Sequence, residues 1–413
     1  MVRSSTKVLV ACVMLLTLIG MPGGVRAQPG GDSPFVTLLP ALRNAPAPNW
    51  LRLGMRITYY GASASIPGAR FYYYQDPEGN WVDPQGNRFK QGDIPSTSGH
   101  GFSEYTILSL DRSLVTLEAR NYLITDVSGP AVLSSVSGTS GLPGAGGDVW
   151  LNALVLRQAI GVRAQGLEAV QVPYRLNGKQ YDALWIRSGT PTASLTYVFD
   201  LNSGLQLHSA SATQGGPIAG PQPQGGSNAG STLLAQSTLA NVRTPNVPWA
   251  SDPAPEWVGR FGVYQYQGGR TTSVPGASSI TIPLRVTLQR QHVGPNWATY
   301  VMTWEEQYQS PAQSVRNYGS AQFTGLWVPP RWLGQLRQGQ VLDSDPVTRV
   351  TIRVGQVGRT PQGTDVVWLI EGNNARRDEY GYDRASGMLL YITSVQTSAT
   401  NQQVIQLHLA HRQ

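Results

Sequence analysis

The densest set of side chains able to grip a ligand lies in residues 71–89, where Phe71, Tyr72, Tyr73 and Tyr74 lead on to Trp81 and Phe89. Asp76-Pro77-Glu78-Gly79-Asn80 and Asp83-Pro84-Gln85-Gly86-Asn87 punctuate this run, seven residues apart. Asp at the first position, Pro presetting φ at the second and Gly at the fourth are the residues of a type I turn. Two such turns predict a small meander with Tyr72 and Tyr74 on one face, joined there by Trp81 and Phe89. Aromatic faces of this kind stack on sugar rings or on an apolar molecule. Asp76, Asp83 and Asp93 bring oxygens of the type calcium takes. The competing arrangement is a flap whose rings cover the edge of its own domain. Tyr72, Tyr74, Trp81 and Phe89 are therefore the candidate ligand-binding residues.

Other chemistry is thinner. The five histidines are His100, His208, His292, His408 and His411. His408 and His411, three apart on an expected strand, should face opposite ways and so not share a metal. No Gly-x-Ser-x-Gly elbow is present to seat a serine nucleophile. Glu305 and Glu306 are adjacent on a strand, so one of them at most faces any groove. Asp343-x-Asp345 offers calcium oxygens, but a loop leading into a strand accounts for the pair equally well. Neither a metal nor a cofactor is expected, and no catalytic residue is assigned.

The elements that must position these residues show themselves through recurrence. Residues 195–208 contain Tyr197, Asp200, Ser203, Gly204 and Leu207, and residues 379–390 repeat them as Tyr380, Asp383, Ser386, Gly387 and Leu390. Trp185 and Trp368 precede the two copies at the same offset. Apolar arms around Asp-x-x-Ser-Gly are a hairpin signal, since Asp bonds its own turn backbone and Gly supplies the positive φ. Tyr197, Tyr380, Trp185 and Trp368 are expected in the core. Pro46-Ala47-Pro48-Asn49-Trp50 recurs as Pro253-Ala254-Pro255-Glu256-Trp257, and Trp150-Leu151-Asn152 as Trp327-Val328-Pro329. The chain thus reads as a signal peptide (1–27), a leader (28–45), a first β copy (46–245) and a second β copy (246–413). The first copy carries an insertion at about 71–101 and a Gly/Pro/Gln-rich loop at 214–230.

Within each copy the apolar period is two, with helix signals only near residues 151–158 and 332–336. The expected class is all-β and mainly antiparallel: a tandem duplication of a curled sheet, half-barrel or sandwich with one short helix per copy.

Arg3 and Lys7, an apolar stretch over residues 8–19 and Val25-Arg26-Ala27 have the order of a secretory signal. Cys12 is the sole cysteine, and the apolar run continues beyond it, which argues against a lipid anchor there. Cleavage after Ala27 removes Arg3, Lys7 and Arg26 and takes the net charge from +7 to +4. That mild bias, without basic runs, excludes a nucleic-acid footprint. No stretch reaches about 18 apolar residues, so no membrane-spanning helix is expected. Few lysines and no glycosylation sequon suit a bacterial source. The composite expectation is an exported, periplasmic or extracellular, non-enzymatic binding or envelope-associated module. Its ligand would be a polysaccharide or an apolar molecule. The alternatives are a carboxylate-based secreted hydrolase with its site between the domains, and a purely structural envelope component.

Overall fold

A side-chain period of two suits strands that bury one face, and the chain keeps that period through two ten-stranded sheets. The computed structural model describes residues 35–36, 39–67, 74–83, 85–90, 97–124, 131–146, 149–164, 167–190, 193–214, 231–249, 251–306, 313–320, 325–397 and 401–413. The signal segment with Cys12, the first residues of the leader, Tyr72, Asp93 and nearly all of the 214–230 loop lie outside them.

The strands of the first sheet are β1 (Arg56–Pro67), β2 (Thr97–Leu110), β3 (Val115–Ile124), β4 (Val132–Gly141), β5 (Arg163–Ala164), β6 (Leu167–Leu176), β7 (Lys179–Thr190), β8 (Ala193–Asp200), β9 (Gln206–Gln214) and β10 (Ser231–Arg243). Those of the second are β11 (Val263–Ser273), β12 (Ile280–Val293), β13 (Trp297–Glu306), β14 (Gln313–Ser320), β15 (Val341–Ser344), β16 (Thr351–Arg359), β17 (Asp365–Gly372), β18 (Arg376–Asp383), β19 (Leu389–Thr397) and β20 (Gln402–Arg412). The first sheet runs β5-β6-β7-β8-β9-β10-β1-β2-β3-β4, and the second runs β15-β16-β17-β18-β19-β20-β11-β12-β13-β14. Strand by strand, the order is the same. The described pairs are antiparallel, and neither sheet closes into a barrel. The class is all-β. The described residues also form short helices α1 (Ala153–Gln158), α2 (Glu256–Arg260) and α3 (Pro330–Leu333), with a 3₁₀ turn at Pro40–Asn44. Asn152 caps α1 by accepting from the Leu154 and Val155 amides.

The described residues divide into two compact units: those within 1–50, 59–101 and 141–239 form one, and those within 51–58, 102–140 and 240–413 the other. Their limits cut across the sequence boundary near residue 245, because part of β1, most of β2, and β3 and β4 pack into the second unit. In the first unit Leu184, Ile186, Tyr197 and Phe199 turn to one side of the sheet and are buried with Leu151 and Leu156. Phe35 of the leader joins them, its ring edge-on to Tyr197 at 4.8 Å and to Phe199 at 5.4 Å. In the second unit Tyr264, Tyr266, Val367, Leu369, Tyr382 and Leu407 close over Trp327 and Leu333.

One tight junction occurs in both units. The Asp200–Gly204 turn is closed by Gly204 N donating to Asp200 O at 2.7 Å, and the Asp383–Gly387 turn by the same bond at 2.7 Å. Each Asp carboxylate also takes the Ser hydroxyl of its turn. The Leu151 and Val328 amides then donate to the Gly204 and Gly387 carbonyls, each at 2.9 Å. Trp50 Nε1 donates to Ser203 O at 2.7 Å, and Trp257 Nε1 to Ser386 O at 2.8 Å. Gly204 and Gly387 have φ of +77° and +74°, and a Cβ on them would lie 1.8 Å from Leu151 O and 2.1 Å from Val328 O. Glycine is required twice over, for backbone sign and for space.

Gly204→Ala or Gly387→Ala should each cost roughly 3 kcal/mol or more, because left-handed strain adds to a backbone clash. Gly79→Ala and Gly86→Ala, with equally positive φ but open surroundings, should cost about 1 kcal/mol. Urea unfolding of the four variants gives the comparison. Equal costs at all four positions would contradict the close approach.

Candidate functional site

Of the four residues expected to bind a ligand, Tyr74, Trp81 and Phe89 are described, and Trp81 is buried while the other two are half-buried. Asp76 and Asp83 make their turns as expected, with Gly79 N on Asp76 O and Gly86 N on Asp83 O, both at 3.0 Å. Their carboxylates are occupied by the Asn80 and Asn87 amides, each at 2.8 Å. The resulting three-stranded meander lies face down on the outer side of the first sheet. Trp81 is fully buried against Ala210, Ala212 and Leu234. Tyr74 is half-buried with the Arg187 guanidinium 4.5 Å above its ring. Phe89, also half-buried, pairs across from Trp81. Gln75 completes the roof, its Oε1 2.5 Å from His208 Nε2, while Thr238 Oγ1 lies 2.8 Å from Nδ1. Burial pushes the His208 imidazole down to about 4, so it sits there neutral. Apolar rings on a meander laid against a sheet bury themselves, which sequence spacing alone does not reveal.

The second sheet has no such roof in its sequence. Its strands align Trp368, Gly381, Tyr391, His408, Gln267 and Arg285 in one cross-strand row. The first-sheet row begins with Trp185, Val198, His208 and Thr238. Trp185 is buried, but Trp368 and Tyr391 stay half-exposed and His408 is exposed. Trp368 therefore departs from the expected core position. Its cross-strand partner is Gly381, which leaves a gap on the sheet surface. The Trp368 and Tyr391 rings lean over it, near-parallel at 24° with centroids 5.6 Å apart. A Cβ on Gly381 would be 3.1 Å from both rings.

A second correction concerns the histidines. A bulge in the β11–β20 pairing sets Gln265 opposite His411 and Gln267 opposite His408. The extra residue returns both imidazoles to the same face, where simple alternation separates them. Among the described residues no group of three or more His, Cys, Asp or Glu is placed to hold a metal ion. The Asp343 and Asp345 carboxylates are engaged by Arg243 at 2.7–2.9 Å, and Asp345 also caps the turn at Val347 and Thr348. Glu305 and Glu306 face opposite ways, Glu306 buried on Arg270 and Glu305 toward Arg285.

Next along the same outer face lies an open hollow of about 420 Å³, lined by Arg349, Arg353, Arg377, Asn373, Asn374, Thr351 and Ile370. Ile370 is two residues from Trp368 on β17, which places the hollow about 7 Å along the strand from the aromatic pair. Arg377 pairs with Glu379 at 2.6 Å. Among the described residues Arg349 and Arg353 have no carboxylate partner. Arg349 occupies a telling position. Its amide donates to Asp345 O at 3.0 Å, as Gly204 and Gly387 do to their Asp, yet its φ is +58°. A side chain in the glycine position of such a turn costs about 1 kcal/mol, and this one lines the hollow.

The opposite side of the β17–β18 turn is buried and ionic. Arg120 donates to Glu371 at 2.6 Å and to Glu118 at 2.8 Å; Arg376 meets Asp378 at 2.9 Å, and Arg56 approaches Glu104 at 3.2 Å. Burial works against the Arg120 charge, but Glu371 and then Glu118 more than reverse it and hold its pKa above the ordinary value. Burial raises the Glu104 and Asp378 carboxyls despite Arg56 and Arg376 beside them. This network fastens the turn that presents Asn373, Asn374 and Arg377.

No protein-family model matches the chain, and no curated protein matches it. Among solved structures, a DUF3598-family protein of unknown function from Nostoc punctiforme is 12% identical, with 86% of this chain and 95% of that one covered, at a TM-score of 0.14. A candidate outer membrane protein of Bacteroides fragilis is 8% identical, with 86% and 96% covered, at 0.13. PNGF-II is 10% identical, with 86% and 68% covered, at 0.17. TM-scores this low carry no argument.

Two outcomes follow from the buried groups. Arg120→Met should lower stability by about 3–5 kcal/mol, since it strands Glu371 and Glu118 without a cation; a loss under 1 kcal/mol in denaturant would count against the network. His208, neutral when folded, stabilises fully above about pH 6.5, and that stability is lost as pH falls toward 4 because the unfolded chain takes the proton first. The loss is on the order of 3 kcal/mol. His208→Gln should flatten this part of the stability profile, and an unchanged slope would rule the assignment out.

Proposed function

We propose that the protein is an exported, non-enzymatic binding module of the bacterial envelope, and that a polysaccharide lies across the outer face of its second sheet. The observation carrying this reading is the Trp368–Tyr391 pair, near-parallel over Gly381 and half-exposed. A flat apolar surface takes the C–H face of a sugar ring. His408, His411, Gln267 and Gln265 on the same face supply donors and acceptors for the hydroxyls. Extended strands set such groups in rows, which suits an extended chain molecule better than a compact one.

The reading also takes the two sheets to descend from one duplicated unit, for which the repeated strand order is the support. On this view the first copy acquired a meander that covers the face the second keeps open. Gln75 and Trp81 take the places over His208, Ala210 and Leu234 that a ligand takes over Tyr391, Thr393 and Val404. Export rests on the charge and apolar order of residues 1–27.

Trp368→Ala should weaken polysaccharide binding about tenfold, equivalent to 1.4 kcal/mol, with little loss of stability. Trp185→Ala, by contrast, should destabilise the fold as a core truncation does. Affinity electrophoresis in gels carrying a panel of bacterial and plant polysaccharides, with tryptophan fluorescence as a second readout, separates the two. If Trp368→Ala migrates as the native chain does in every gel that retards it, the aromatic pair is not the platform.

A further inference from the structure

We propose that the arginine hollow is an anion subsite continuous with the aromatic pair, so that the preferred ligand is an acidic polysaccharide bearing carboxylate or sulfate groups. This rests on the polysaccharide reading above and narrows it to a substrate class. Three observations carry it. Arg349, Arg353 and Arg377 converge on one hollow of about 420 Å³ whose lining contains no acid. The corresponding place in the first sheet is neutralised within the protein, where Arg187 faces Glu168 at 3.5 Å and Arg163 meets the same carboxylate at 3.2 Å. Arg353 stands opposite Ile370 in the second sheet as Glu168 stands opposite Arg187 in the first, so an acid has given way to a cation.

The third observation is the backbone of Arg349. Its turn has the hydrogen bonding of the Asp200 and Asp383 turns, where glycine holds the left-handed position. Glycine there would relieve the backbone but remove the guanidinium. Guanidinium groups grip carboxylate and sulfate oxygens through paired N–H donors, and Asn374 adds a neutral donor at the rim, while the Asn373 side chain is spent on Ala131 O. With Ile370 and Trp368 side by side on β17, one sugar can rest on the rings while the acid group of its neighbour enters the hollow.

The test measures dissociation constants of the full chain for a neutral glucan, a polyuronate and a sulfated galactan, at low and high salt. The native chain should bind one or both acidic polymers at least tenfold more tightly than the glucan, and salt should erode the difference. Arg353→Gln should bring acidic-polymer affinity down to that of the glucan. Arg349→Gly should do the same while unfolding at an unchanged or higher temperature, which separates lost ligand contacts from lost fold. Equal affinity for neutral and acidic polymers, or a preference that survives both substitutions, overturns the anion subsite and leaves the polysaccharide reading standing. Should no polymer bind, that reading fails, and the hollow is judged by thermal shifts with glucuronate and with sulfate. Shifts abolished by Arg353→Gln support it; none, or shifts the substitution leaves intact, overturn it.

Discussion

A backbone amide bonded to the carbonyl of a left-handed glycine holds each curled sheet to the segment that crosses its end. At Leu151 with Gly204, and at Val328 with Gly387, the crossing backbone comes so near that no side chain fits. A tryptophan just ahead of β1 and another just ahead of β11 bond the turn from the other side, Trp50 on Ser203 and Trp257 on Ser386. The crossing tryptophans, Trp150 and Trp327, meet these first ones edge-on at 6.5 and 6.4 Å.

Once a sheet is fastened on one side, its other side must be covered or made tolerable to water. The first sheet covers its face with the inserted meander, and the cost is a histidine buried in its neutral form against Gln75 and Thr238. The second sheet leaves its face half-exposed, spreading two rings over a glycine gap and filling the rest with polar and charged groups. The two half-exposed aromatics are tolerated because they pack against each other and over the Gly381 backbone.

The charges obey a similar division. Acids and arginines of the second unit neutralise each other on the inner side of the β17–β18 turn, through Arg120, Glu118, Glu371, Arg376 and Asp378. On the outer side of that turn, Arg349 and Arg353 face solvent among the described residues without a matching carboxylate. The buried network holds the β17–β18 turn in place, while the Arg349 and Arg353 side chains stay exposed.

The amino-acid sequence alone determined the all-β class, the paired hairpins at Asp200 and Asp383, and the meander turns at Asp76 and Asp83. Each rests on local chemistry, an Asp bonding its own turn and a Gly taking positive φ. Even Arg349 in the glycine place of an Asp-led turn could have been noticed, since Asp345 lies four residues before it. Tertiary structure decided everything that depends on which face an element presents and what lies over it. Trp81 and Trp368 have the same chemistry in the sequence, yet one is buried under its own meander and the other is half-exposed beside Gly381. The bulge at Gln265 reverses the alternation for His411, and the convergence of Arg349, Arg353 and Arg377 brings together one turn and two strands. Residue type sets what a side chain can do; only the folded sheet sets whether water, protein or ligand reaches it.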